Sequence, residues 1–129
     1  MKTFDDAVEA LVARDPRYPA AAYHFLREAL PHAQALAGKQ GHISAAELLE
    51  GIRQHALKEY GPMTLLLLSE WGIHACQDFG NLVFNLIDEG QLSRQPHDRI
   101  EDFSPGYDFH KAFREPFLPP PSPVAPQPR

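Results

Sequence analysis

The chain has 129 residues, 43% of them hydrophobic and 22% charged, with a formal net charge of −5. That length and balance fit one soluble domain with its own core, and the acidic surplus argues against a surface built to hold phosphates. The single cysteine, Cys76, excludes an intrachain disulfide and a cysteine-rich zinc site, and favours a reducing compartment.

Thr3 is placed to cap a first helix, with Asp6 three positions on and Phe4, Val8, Leu11 and Val12 on one face. The opening Met1-Lys2-Thr3-Phe4-Asp5-Asp6 turns acidic where a secretory signal turns apolar, so a cytoplasmic location is expected. A second helix starts near Pro19 or Ala20 and runs to about Leu30, with Tyr23, Leu26 and Leu30 inward; Pro31 stops or kinks it. A weaker helical turn follows to Gly38.

Ser44-Ala45-Ala46-Glu47 is a capping box opening a helix to Tyr60, with a core stripe of Leu48, Leu49, Ile52, Ala56 and Tyr60. Gly61 and Pro62 punctuate the passage to a helix from Met63 to about Trp71. That segment is apolar nearly all round and is expected to be the most buried element. It contains the longest pure apolar run, residues 65–68, far too short to span a bilayer.

Gly72-Ile73 makes a turn into a helix over roughly residues 75–89, with Phe79, Val83, Leu86 and Ile87 inward. Gln77, Asp78, Asn81, Asn85 and Asp88 gather on its other side. Gly90 ends it. Beyond, turn signals at Pro96-His97-Asp98 and Ser104-Pro105-Gly106 separate short extended pieces near 92–95, 99–103 and 107–109, and residues 111–115 read as a last helical turn. Proline dominates from Pro116 onward, which predicts an extended tail over 116–129.

Helix, glycine turn, helix and β-hairpin is the order of a winged helix-turn-helix. The predicted fold is therefore a mainly helical bundle over 1–115, with a winged-helix-like part at 44–110. A DNA reader of this type lays its second helix in the major groove and must meet phosphates there. Between Pro62 and Gly90 there is no Lys or Arg, while Glu70, Asp78, Asp88 and Glu89 are acidic. A winged-helix nucleic-acid-binding regulator is therefore the second reading, and contact with protein the first.

Several strings together are similar to a small uncharacterised bacterial family of the planctomycete and verrucomicrobial group. They are Tyr18, Tyr23-His24-Phe25, Gly41-His42-Ile43, Trp71-Gly72-Ile73, Asp78-Phe79-Gly80, Val83-Phe84-Asn85-Leu86-Ile87, Asp102-Phe103 and Tyr107-Asp108-Phe109. The resemblance covers about residues 1–114. It implies kinship and supplies neither an activity nor a catalytic residue.

No constellation carries a reaction. Asp78-Phe79-Gly80 matches a kinase metal-binding triplet without any other kinase motif, and is better read as a carboxylate in a first helical turn and a glycine at a close approach. The seven histidines include no pair three or four apart on one helix, so no metal site is expected, although one assembled from distant histidines stays open. Cys76, at a helix start, reads as packing more than as a nucleophile. Phe103, Tyr107, Phe109, Phe113 and Phe117 either cover the core or make a partner surface.

The sequence thus predicts a non-enzymatic cytoplasmic protein-interaction module with no cofactor. Its contact surface is expected at Asp78, Asn81, Asn85, Asp88, Asp102, Phe103, Tyr107, Asp108 and Phe109. The partner is another protein or a second copy of the chain, with nucleic acid and membrane disfavoured.

Overall fold

The computed structural model describes residues 2–119. The protein is mainly helical: α1 (Phe4–Arg14), α2 (Ala20–Ala37), α3 (Ala45–Tyr60), α4 (Thr64–Glu70), α5 (Cys76–Asp88) and α6 (Phe109–Phe113). Single 3-10 turns at Gly61–Met63, Ile100–Phe103 and Glu115–Phe117 complete the described secondary structure.

Local chemistry sets the helix starts. The Thr3 hydroxyl accepts from the Asp6 amide while the Asp6 carboxylate accepts from the Thr3 amide, and Ser44 and Glu47 repeat the arrangement at α3. The left-handed glycines Gly38, Gly61 and Gly90 follow α2, α3 and α5.

α2 corrects the expected stop at Pro31: it runs unbroken through that residue. Pro31 is exposed, so its ring faces solvent, while Ala29 and Ala33 on the inner side are fully buried against α3. Long-range packing of α2 on α3 outweighs the local cost of one missing amide hydrogen bond.

The helix expected to be most buried is a two-turn element at the edge. Of α4 only Thr64 and Leu68 are buried, and Met63 and Leu66 are about half exposed. The core instead centres on Tyr18, Tyr23, Phe25 and Leu26 around α2, with Ile52 from α3 and Phe79, Leu82 and Leu86 from α5.

The winged hairpin is also corrected. Among the described residues there is no β-strand. Pro96-His97-Asp98 does form a turn, the Asp98 amide donating to the Gln95 carbonyl at 3.0 Å, but no neighbouring strand pairs with it. The 99–103 piece winds into a 3-10 turn, and Phe109 opens α6 with Asp108 accepting from the His110 amide. Phe103 and Phe113 take their rings into the core. Pro116 and Phe117, the first residues of the expected proline tail, belong to the 3-10 turn Glu115–Phe117; residues 120–129 lie outside the described residues.

The candidate binding cleft and the polar seam behind it

Of the polar residues on one side of α5, Asp78, Asn81 and Asn85 turn toward the α1–α2 corner, while Gln77 and Asp88 are exposed. Tyr18, fully buried at the α1–α2 corner, donates its hydroxyl to Asp78 Oδ1 at 2.5 Å and accepts from Asn81 Nδ2 at 2.9 Å. Asp78 Oδ2 also accepts from the amides of His74 and Ala75, so one carboxylate ties the start of α5 to that corner. Asn85 Nδ2 donates to the Tyr23 hydroxyl and to Asp15 Oδ2, both at 3.0 Å. Arg17 holds Asp15 with two further bonds, at 2.9 and 2.7 Å.

The electrostatics follow from this closure. Burial, with donation to Asp78, pushes the Tyr18 phenol up to about 12. The Arg17 guanidinium holds the Asp15 carboxyl well below the usual range, although partial burial opposes it. Arg14 lies 4.0 Å from Asp88 and 3.8 Å from Glu89, and Lys2 also donates to Glu89. Both arginines are thus matched with carboxylates.

The residues expected to form one contact surface are dispersed. Asp78, Asn81 and Asn85 belong to the seam, and Phe103 and Phe109 to the core. Tyr107 is half-buried and donates to the Leu49 carbonyl at 2.9 Å. Asp88, Asp102 and Asp108 are exposed, on three separate elements. On the opposite side of the helix Phe79, Leu82 and Leu86 are buried in the core, which leaves Gln77 and Asp88 as its exposed polar positions. Polar residues at helical spacing read as a solvent face in sequence; their partners, Tyr18 and Tyr23, lie some sixty positions away.

Cys76 is fully buried, and burial pushes its thiol up. Its sulfur accepts from the Tyr107 amide at 3.4 Å, and a Cβ on Gly106 would lie 2.5 Å from it. Enclosed in this way, the thiol fills space in the core. Gly80 serves the close approach read from sequence: a Cβ there would meet the Phe103 side chain at 2.9 Å.

A concavity lies elsewhere, where α2, α3 and α5 are bridged by the irregular segment after Gly90. It is a cleft of about 520 Å³. Leu30, Leu48, Val83, Phe84, Ile87 and Leu92 give it an apolar floor, and Gln34, His42, Gln95, Asp98, Arg99 and Asp102 a polar rim. A smaller cavity of about 240 Å³ shares Leu30, Leu48, Gln91 and Leu92 with it, so the segment around Leu92 spans a longer apolar trough. Of the residues expected to form the contact surface, Asp102 and Phe103 line this cleft.

At the rim, His42 Nε2 lies 3.2 Å from either carboxylate oxygen of Asp98, and His97 Nε2 lies 3.9 Å from Asp98 Oδ1. Sequence spacing leaves a site of distant histidines open without saying which ones meet, because His42 and His97 stand in loops 55 residues apart. The fold brings the two loops together.

No family model, curated protein or solved structure matches this chain. Among the described residues no helix is long and apolar enough to cross a membrane.

Proposed function

We propose that this chain is a non-enzymatic interaction module of the cytoplasm that grips an apolar anchor of a partner protein in the cleft between α2, α3 and α5. The observation that carries the reading is the make-up of the cleft: a continuous apolar floor inside a rim of hydrogen-bonding and charged groups. Partner-binding sites share that anatomy, with desolvated apolar centres and polar margins. The single buried thiol, with no second cysteine in the chain, supports a reducing compartment.

The surface proposed from sequence thereby moves from the outer side of α5 to the opening beside it. Leu92 is the natural point of attack, since it is half-buried, lies outside every helix and lines both cavities. Peptides selected for binding from a random display library are expected to carry a large apolar residue and to lose at least about tenfold in affinity for Leu92→Glu. Selected peptides that bind Leu92→Glu as well as the parent would remove the cleft from the reading.

A further inference from the structure

We propose that His42, His97 and Asp98 form a site for a divalent transition-metal ion, zinc in the first instance, at the mouth of the cleft. Their donor atoms all lie within 4.8 Å of one another, although they come from two loops. His42 precedes α3; His97 and Asp98 close the turn that follows Pro96.

The geometry is close to what zinc needs. Tetrahedral zinc with bonds of about 2.0–2.1 Å sets neighbouring donors roughly 3.3 Å apart. The His42–Asp98 separation already meets that value, and His97 Nε2, at 3.9 Å from Asp98 Oδ1, needs a small movement. The His97 side chain is 80% exposed, so nothing packed against it resists the rotation. The imidazoles of His42 and His97 stand edge to face with centroids 6.4 Å apart, both turned toward the one carboxylate.

Asp98 is the fixed member. Its Oδ2 accepts from the Gln95 amide at 2.7 Å, and its carbonyl accepts from Arg94 Nε at 3.2 Å. Such outer bonds orient a ligating carboxylate before metal arrives. Two imidazoles and one carboxylate suit zinc, nickel or copper better than calcium or magnesium, which prefer oxygen donors.

Three protein donors leave one tetrahedral position for water or for a donor carried by whatever enters the cleft. Binding ties the loop before α3 to the segment after α5, and so braces the cleft mouth. The site does not depend on the partner-binding reading.

The test uses the full chain, freed of metal with a chelator, titrated calorimetrically with zinc chloride and followed optically with cobalt(II) chloride. One equivalent is expected to bind with micromolar affinity. His42→Ala and His97→Ala are each expected to weaken it by at least about tenfold, while His110→Ala, at an exposed histidine away from the cleft, leaves it unchanged. Unchanged melting of metal-free His97→Ala would verify that the fold is kept. Absence of binding, or equal weakening by His110→Ala and His97→Ala, would overturn the site. Leu92→Glu touches no donor, so metal and partner binding fail separately.

Discussion

Gly51 of α3 meets Ala33 of α2 so closely that a methyl group on Gly51 would overlap both the side chain and the backbone of Ala33. The contact lies at the crossing of the two longest helices, and Ala33 is fully buried. It explains a glycine in the middle of α3, where glycine costs about 1 kcal/mol in helix propensity relative to alanine.

Gly51→Ala is therefore expected to destabilise in spite of that propensity gain. Overpacking of this kind costs about 1–3 kcal/mol, and here the obstacle includes backbone. Thermal melting should show a drop of several degrees. A variant melting at or above the parent temperature would mean that α2 can shift away at little cost.

The seam behind α5 has an equally direct consequence. The Tyr18 hydroxyl joins Asp78 to Asn81, and a hydrogen bond to a charged group contributes about 1.5–3 kcal/mol. Tyr18→Phe should lose an amount of that order in urea unfolding, and Tyr23→Phe, whose hydroxyl only accepts from Asn85, less. Equal and negligible losses would show that the seam is not closed in solution.

A third expectation concerns acid. Burial pushes the pKa of His55 below its ordinary value of 6.5, against the opposing pull of Glu59 and Glu28, with His32 adding to the depression. Among the described residues its Nε2, like that of His32, is buried without a hydrogen-bond partner. The unfolded chain thus takes up this proton before the folded chain does. Stability held by the neutral ring is full above about 6.5 and declines as pH falls toward the folded-state value, where the loss levels off. Between roughly pH 7.5 and pH 5.5 the parent should lose more stability than His55→Gln, which has no proton to gain. Parallel curves for the two would remove His55 as the cause.

How far the sequence foretold this molecule depends on range. Thr3, Ser44, Gly61 and Gly90 act on amides within a turn or so of themselves, and the helix limits they mark are found in the structure. Pro31 misled because its effect was decided by α3. Residues 91–103 misled because turn residues fix a bend and not a strand pair; here the chain closes onto α5 through Phe103 against Gly80. Asp78, Asn81 and Asn85 were legible as a set, since they share a helical side, but not as an inward one. The cleft and the His42, His97 and Asp98 cluster were not legible, because no segment holds more than part of either.

On the proposed reading α5 uses its amides to hold the protein together, and recognition belongs to the cleft beside it. Melting temperature and affinity for one selected peptide, measured together on Asn85→Ala and Leu92→Glu, test this most directly. Asn85→Ala should melt several degrees lower and still bind, whereas Leu92→Glu should keep most of its melting temperature and lose at least about tenfold in affinity. The reverse pattern, an Asn85→Ala protein as stable as the parent but unable to bind, would contradict it.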